Sequence, residues 1–433
     1  MMETQILTRV GPGTPAGELF RQYWVPVVMS SELEPGGAPV RVKLLGEELV
    51  AFRTTAGVTG LMDHRCPHRC ASLFYGRNEE EGLRCIYHGW KFAADGRCLD
   101  TPNLPPHQSV KDKVHIKAYP TAERAGVVWA YMGKRVAPPP FPDLPIFRVP
   151  LSQISNWCMQ RECNYLQAIE GDLDTSHAGF LHTGMTPADL PADAPRNLPE
   201  VLGIANRSPE FKVIDTPYGV MAGAHRPAED GQTYWRFTQF ILPFFSQVPP
   251  CPLGSEAILR AWVPMDDTHT MYFSITTDTF SISRSPRATK RPIPQPGLTY
   301  DYEFLPNTTD WYGRWRLKAN RENDHLIDRA VQRTQSYSGI EGLDVQDTAI
   351  TESIGYIADH DREMLVPSDV LVARTRHRLL DAARNAAQGS APPGLDEPAC
   401  YHDVWSGYVI SPREMDWLEV YAKNIPHATD RAA

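Results

Sequence analysis

Apolar residues at Leu19, Phe20 and Tyr23 recur on one side of a short helical period, directly after Thr14 and Pro15. A threonine that can cap and a proline that can open predict a helix from Pro15 to Tyr23. From Pro39 to about Gly133 the pattern shortens to β-rich runs such as VRVKLLGEELVAF and HIKAYP, broken by Gly, Pro and Asp. Residues 137–150, APPPFPDLPIFRVP, hold six prolines in fourteen positions and can neither continue a helix nor sit in a central strand. They predict an extended connector and divide the chain into 1–145 and 146–433. Beyond it, Cys158 to His182 reads as helix, and residues 212–275 read as antiparallel strands rich in aromatic and β-branched residues (YWRFTQFILPFF, RAWVPM, TMYFSITT). Helix returns from Asp344 to Met364 and from Asp369 to Ala387, the latter ended by Gln388-Gly389. Ser281 to Thr299, with four prolines and several basic residues, reads as a surface excursion, and no internal repeat is visible. Strand-rich and helix-rich stretches that segregate in this way predict an α+β protein.

Composition narrows the class. At 433 residues, 42% of them hydrophobic, the chain can bury more than one core, and two domains are expected. Its net charge of −9 is mixed rather than blocked, so no basic stripe offers a nucleic-acid surface. No apolar run approaches the ~20 residues that span a bilayer. The N-terminus lacks a signal core, so a cytoplasmic protein is expected. Eight cysteines scattered at 66, 70, 85, 98, 158, 163, 251 and 400 do not make a disulfide scaffold; clustered with histidine, they point to metal.

The first candidate site is CPHRCASLFYGRNEEEGLRCIYHGW, in which Cys66-Pro-His68 and Cys85-Ile-Tyr-His88 are separated by sixteen residues. Each pair lets one tight loop offer a thiolate and an imidazole, the ligand set of a Rieske two-iron, two-sulfur cluster. Gly76 and Gly89 suit loops that turn sharply around inorganic sulfur. The alternative is tetrahedral zinc, but zinc ribbons space both pairs as knuckles, and here the first pair is Cys-x-His. Respiratory Rieske proteins add a disulfide across the two loops. Here Cys70 stands two residues after His68 and position 87 is tyrosine, so that bridge is absent and Cys70 is expected to be a small buried residue.

The second is CNYLQAIEGDLDTSHAGFLH, with Asp174, His177 and His182 spaced D-x₂-H-x₄-H. Asp174 and His177 fall on one helical face, whereas His182 needs a loosened turn to meet them. Two histidines and a carboxylate with open positions suit ferrous iron that binds O₂; a buried helix with incidental histidines is the bland alternative.

Both motifs, in this order and about 90 residues apart, resemble the Rieske non-haem iron ring-hydroxylating oxygenases. The wording GPGTPAGELFRQYW, CPHRCASLFYGRN, YHGWKF, EGDLDTSH, VQDTAITES and PSD looks like the phthalate-dioxygenase-like subgroup, which also contains aryl-ether O-demethylases. The resemblance implies an N-terminal antiparallel β Rieske domain and a C-terminal helix-grip-like domain with an antiparallel sheet flanked by helices. It implies His177, His182 and Asp347 as iron ligands. Asp344, Glu341 and Glu352 lie close to Asp347, and the subgroup's Q-D-x₄-E spacing selects among them. Asp174 would then bridge His177 to His88 of a neighbouring protomer, with Glu170 as a polar support and Asp172 solvated.

The same resemblance implies a homotrimer or stacked trimers, in which each cluster serves the next protomer's iron. Electrons would come from a separate flavin- and ferredoxin-type reductase, since the chain has no G-x-G-x-x-G of its own. The implied activity is mono- or dioxygenation of an aromatic carboxylate of phthalate or benzoate type in aromatic catabolism. O-demethylation of a methoxylated aromatic acid is the alternative. A Rieske electron carrier would need no iron triad, and an oxygenase of a non-aromatic substrate fits the subgroup less well.

For the substrate, Arg226 and Arg236 in adjacent strands could clamp a carboxylate, with His225 adding a hydrogen bond; surface strand residues are the competing reading. Subgroup members acting on phthalates tend to carry a basic residue where this strand has Met221, which counts against phthalate itself. Phe237, Phe240, Phe244 and Phe245 suit an aromatic-lined pocket or, equally, a core. Arg374, Arg376 and Arg378 read as a solvated helical face, with reductase docking as the alternative.

Overall fold

The computed structural model describes residues 3–183, 196–279, 297 and 299–426. Thr14 caps the helix Pro15–Phe20 through the Gly17 N–H, and the helix buries Leu19 and Phe20 as the periodicity requires.

The first part is three small antiparallel sheets. One joins Val40–Leu44, Glu47–Arg53, Thr59–Asp63 and Ala118–Tyr119. Another joins Arg77–Asn78, Gly82–Arg84, Lys91–Ala93 and Cys98–Asp100, and the third pairs Trp24–Met29 and Thr121–Arg124 with Val127–Tyr131. Val50, Phe52, Met62, Leu73, Leu83, Phe92 and Ile116 form a small core of their own beneath the two cysteine–histidine loops.

The second part is built on one eight-stranded antiparallel sheet. Its order is Ile154–Arg161, Thr270–Thr277, Ile258–Pro264, Phe245–Gln247, Gln232–Ile241, Gly219–Pro227 and Glu210–Thr216, with Gly407–Pro412 also pairing Gln232–Ile241. Helices Tyr165–Leu173 and Leu343–Ser353 cover one face. On the other face Trp417, from helix Trp417–Asn424, stacks on Phe237 at 6.2 Å. The proline connector runs without regular structure as far as Leu144, as expected, but Pro145–Arg148 then closes a 3₁₀ turn; the connector's Phe141 and Phe147 pack edge-on against Trp129. The main core runs across it: Phe20 meets Tyr165 at 5.1 Å and Phe244 at 5.4 Å. All four phenylalanines 237, 240, 244 and 245 are buried in this core.

Register decides what helices Tyr165–Leu173 and Leu343–Ser353 see. Arg161 lies opposite Thr270, Arg260 opposite Ser246, Ala224 opposite Arg236 and Arg226 opposite Tyr234. Because side chains alternate along a strand, Arg161, Arg226, Arg236 and Arg260 leave the sheet on one face. Contacts of Arg236 with Thr175 and of Arg260 with Asp172 show that it is the face under helix Tyr165–Leu173.

Two helical expectations are corrected. Cys158–Arg161 belongs to a strand, paired residue for residue with Thr270–Phe273. The helix starts only after Asn164, whose side chain takes the Leu166 N–H, and it ends at Leu173. The helix expected from Asp344 to Met364 stops at Ser353, two residues before Gly355, whose φ of +116° no continuing helix can hold. The later helix is observed as Val370–Ala387. The excursion expected over Ser281 to Thr299 lies almost wholly outside the described residues.

Candidate metal centres and active site

The two cluster loops are two copies of one turn. The Cys66 N–H donates to Ala71 O at 2.9 Å and the Cys70 N–H returns to Cys66 O at 2.8 Å. In the second loop the Cys85 N–H donates to Trp90 O at 2.8 Å and the Gly89 N–H returns to Cys85 O at 3.0 Å. Each turn closes on a residue with left-handed backbone, Cys70 at φ +57° and Gly89 at φ +78°. Cys70 is exposed, which corrects the expectation of burial; its place is set by the turn, not by packing. Gly76 has an ordinary φ, and there glycine is needed for space, because a Cβ would lie 2.8 Å from Leu73 O.

The loops bring Cys66, His68, Cys85 and His88 together. Both thiols are buried, and the imidazoles sit 4.5 Å apart. His68 stacks flat on Trp90 at 4.5 Å, and Trp90 is fixed by its Nε1–H to Asn103 Oδ1 at 2.8 Å. Burial and the neighbouring Cys85 push the Cys66 thiol up to about 11, while the backbone N–H groups of His68 and Arg69 favour the thiolate. His68 Nδ1 is buried with no hydrogen-bond partner. Two soft sulfurs and two imidazoles, with an orphaned ring nitrogen and amides aimed at sulfur, fit a Rieske cluster.

The second centre gathers side chains from the turn that follows helix Tyr165–Leu173 and from the middle of helix Leu343–Ser353. After Leu173, Asp174 caps the helix and its carboxylate takes the N–H of Ser176 at 2.7 Å and of His177 at 3.3 Å. The chain then loosens into the short 3₁₀ turn His177–Gly179, which swings His182 back as the spacing requires. His177 Nε2 lies 3.0 Å from His182 Nε2 and 3.5 Å from Asp347 Oδ1, and His182 Nε2 lies 3.0 Å from the same oxygen. Donors about 3 Å apart are what an ion bound at ~2.1 Å in adjacent positions needs. Two imidazoles and one carboxylate therefore fit mononuclear iron.

The charges are ordered to match. Burial raises the Asp347 carboxyl, but His182 and His177 outweigh it and hold the group below the ordinary carboxylate range. Burial lowers His177, yet Asp174 and Asp347 lift it above its ordinary value. His177 Nδ1 lies 3.5 Å from Asp174 Oδ2, and His182 Nδ1 lies 2.7 Å from Gln346 Oε1. Gln346 cannot flip freely, since its Nε2 donates to Ile340 O at 2.8 Å. Both rings are thereby oriented with Nε2 toward Asp347. Gln346 escapes a search for ligands because an amide is neither charged nor a metal donor of note; its position directly before Asp347 was the available signal.

Two neighbours depart from expectation. Asp172 is not solvated: it is buried and paired with Arg260, and it accepts Ser246 Oγ–H at 2.5 Å. Arg376 is not solvated either. It clasps Glu170 with Nε at 2.6 Å and Nη2 at 2.7 Å, and holds Glu363 with Nη1 at 2.6 Å. Burial raises the Glu170 carboxyl against that pairing. Arg374 is spent on Asp215, and Arg378 donates to Thr216 O at 3.0 Å.

The arginine pair divides. Arg226 and Arg236 share the side that meets Thr175 under helix Tyr165–Leu173, whereas His225 and Met221, one or an odd number of residues away, point to the opposite side. His225 packs on Trp235 at 4.6 Å and is no part of a clamp, and Met221, on the same side as His225, is buried in the core. Arg226 is buried; its Nε donates to Asn206 O at 2.7 Å, and its Nη1 has no hydrogen-bond partner. Burial first, and Arg236 second, lower it to about 10. Arg236 Nε donates to Thr175 Oγ1 at 3.1 Å. Neither arginine has a carboxylate partner among the described residues.

A family model for the Rieske [2Fe-2S] domain matches residues 23–120, and one described as LigXa C-terminal domain like matches residues 130–432. The 3-chlorobenzoate-3,4-dioxygenase oxygenase subunit of Comamonas testosteroni is 45% identical over 427 residues, covering 98% of each chain. The phthalate 4,5-dioxygenase oxygenase subunit of Pseudomonas putida is 34% identical over 432 residues, 98% of this chain and 95% of that one. The 5,5'-dehydrodivanillate O-demethylase oxygenase subunit of a Sphingobium strain is 44% identical over 183 residues, 41% of this chain and 42% of that one. Among solved structures, dicamba monooxygenase bound to 3,6-dichlorosalicylic acid superposes with a TM-score of 0.58 at 17% identity, covering 85% of this chain and 98% of that one, a likeness of fold.

Proposed function

This chain belongs to the Rieske non-haem iron oxygenases, and from that premise we propose that it is the terminal oxygenase of an aromatic carboxylate, held through its carboxylate by Arg226 and Arg236. The observation that carries the substrate class is the pair itself: two neighbouring guanidinium groups on the sheet face under helix Tyr165–Leu173, one of them buried with an orphaned N–H, and no acid paired with either among the described residues. Such a pair repels itself until an anion joins it. The chlorobenzoate and phthalate enzymes among its relatives act on acids of this type.

In this reading residues 1–145 form the Rieske domain, with Cys66, His68, Cys85 and His88 holding the cluster. Residues 146–433 form the catalytic domain, with His177, His182 and Asp347 holding iron. When bound, the cluster supplies single electrons and the ferrous iron supplies the place where O₂ is activated. The chain's own residues do the rest. Arg226 and Arg236 orient the ring; Gln346 and Asp174 keep both imidazoles facing the metal. The Asp174 side chain remains 28% exposed, so it can still accept a hydrogen bond from the partner subunit's His88. Glu170, clasped by Arg376, anchors the helix turn from which Asp174 emerges, since the Asp174 N–H donates to Glu170 O at 3.0 Å.

A homotrimer, or trimers stacked in pairs, follows from that bridge. Ile86 and Tyr87 stand exposed at the cluster tip, and Ile350, Ile354, Tyr356, Met364 and Leu365 stand exposed around the end of the Asp347 helix. A head-to-tail ring would cover both. A separate flavin- and ferredoxin-type reductase would feed the cluster. No described helix is long and apolar enough to cross a membrane, and a cytoplasmic catabolic enzyme is the setting we propose.

The test is turnover by iron-loaded protein with a surrogate reductase and NADH, across benzoates, phthalates and methoxybenzoates. Expected is substrate-dependent O₂ uptake with a hydroxylated or diol acid as product and no formaldehyde. Consumption of the matching neutral aromatics, with the acids inert, would overturn the carboxylate reading. Formaldehyde released in step with O₂ would establish the second reading, an O-demethylase of a methoxylated aromatic acid, which the partial match to the dehydrodivanillate enzyme favours.

A further inference from the structure

We propose that Thr175 is a positioning residue that couples occupancy of the arginine pair to the geometry of the iron site. The inference rests on the reading of Arg226 and Arg236 as the carboxylate site.

Residues 174–177 behave as one mechanical unit. The Asp174 carboxylate is tied to the backbone N–H groups of Ser176 and His177, at 2.7 and 3.3 Å, and faces the His177 ring at 3.5 Å. A displacement of this turn therefore moves the bridge carboxylate and an iron-facing imidazole together. Thr175 lies inside the turn, its side chain buried, and its Oγ1 accepts Arg236 Nε–H at 3.1 Å.

Arg236 has little else to fix it. Among the described residues its other hydrogen bond is Nη1–H to the Tyr234 hydroxyl at 3.5 Å, a long one. Arg226, by contrast, is pinned by its Nε to the Asn206 carbonyl at 2.7 Å. Of two like charges side by side, the less tethered one carries the displacement. Without an anion the two guanidinium groups repel; an anion bound by both removes that repulsion and draws Arg236 toward it. The force on the Thr175 hydroxyl, and so on the Asp174–His177 turn, changes when the carboxylate binds.

A link of this kind is reciprocal: whatever the carboxylate does to metal affinity, the metal does to carboxylate affinity by the same factor. The experiment is a binding cycle. Protein with its cluster intact but stripped of mononuclear iron is titrated with Co²⁺, read by its visible absorption, with and without saturating benzoate. The wild-type chain should bind Co²⁺ at least about 5-fold more tightly with benzoate, the lower end of usual site–site coupling. Thr175→Val keeps shape and every charge but loses the acceptor; its coupling should fall to about 2-fold or less, the remainder being through-space attraction. Thr175→Ser, which restores the hydroxyl, should restore the wild-type factor. If Thr175→Val does not fold, Arg236→Lys, which keeps the charge and loses the Nε donor, takes its place with the same expectation.

Full coupling in Thr175→Val, or no rescue by Thr175→Ser, overturns the role of Thr175 while leaving the carboxylate site standing. Benzoate that fails to bind the wild type, or that binds equally well after Arg226→Met and Arg236→Met, overturns the underlying reading and the proposal with it.

Discussion

The two metal-binding regions are built in opposite ways. The cluster loops take four candidate ligands from 23 consecutive residues, set them at the tip of a small separate core, and support an imidazole by stacking on Trp90. No ion pair to His68 or His88 occurs among the described residues. The iron site instead assembles half-buried residues from positions 174 to 347 and surrounds them with charge: Asp174 on His177, Arg260 on Asp172, Arg376 on Glu170. The difference matches two tasks. A cluster that must be approached by partners is presented on local scaffolding, whose charged brace, Arg84 on the Gly89 carbonyl with Glu79 and Asp100 behind it, is drawn from the same stretch of chain. An iron that must hold one geometry is braced by long-range pairs whose removal is costly.

The sharpest way to break the comparison is to delete one ligand from each side. Cys85→Ala should strip the cluster and leave the mononuclear site, taking iron from three per chain to about one, on the two-iron count of the cluster. Asp347→Ala should leave the cluster's absorption intact, remove one iron and abolish turnover. Iron assay and the visible spectrum read both. Loss of all iron in either variant would mean that the two regions assemble as one.

This contrast also governs what the sequence discloses. The candidate cluster ligands are legible because they are close in sequence, and each Cys–His pair is one turn. His177 and His182 are legible from spacing, but Asp347 stands among Asp344, Glu341 and Glu352 and is picked out only through resemblance to a family. Asp172 reads as solvated because its partner Arg260 is 88 residues away, on a strand whose register no local pattern states. Arg376 misleads for the same reason, with 206 residues between it and Glu170. His225 is a different kind of error. Neighbouring residues in a strand face opposite ways, so His225 and Arg226 could never share a clamp, and the alternation alone was enough to say so.

The bracing on the iron side makes the next largest prediction. Asp172→Ala leaves the buried Arg260 guanidinium without its carboxylate and should cost about 3–5 kcal/mol in denaturant unfolding. Replacing both partners, as in Asp172→Leu with Arg260→Met, should recover most of that loss. A double variant as unstable as the single one would show that the loss does not come from the orphaned Arg260 charge. Cluster absorption should survive in each, because its scaffold is separate.

Smaller again is the effect of a neutral brace. Gln346→Leu removes the acceptor at His182 Nδ1 without touching a ligand, and should weaken Fe²⁺ binding by about 10–100-fold while sparing His177 and its carboxylate. Equilibrium dialysis against a chelator series measures it. Unchanged affinity would mean that the ring is held by packing alone.

The smallest effect tests whether the cluster loops are as local as they look. Cys70 and Gly89 occupy equivalent places in two copies of one turn, both with left-handed backbone. A non-glycine residue there costs roughly 1–2 kcal/mol, offset in part by the ~0.5–1 kcal/mol that glycine loses through unfolded-state freedom. Cys70→Gly should therefore be neutral or stabilise by up to about 1 kcal/mol, with the cluster spectrum unchanged. Gly89→Ala should run the other way and cost more than the backbone term, because the new Cβ would sit 2.6 Å from Pro102 Cγ. Thermal unfolding followed at the cluster's own absorption reads both. If Cys70→Gly instead bleaches the cluster, the exposed thiol takes part in holding it, and the two loops are equivalent in backbone but not in chemistry.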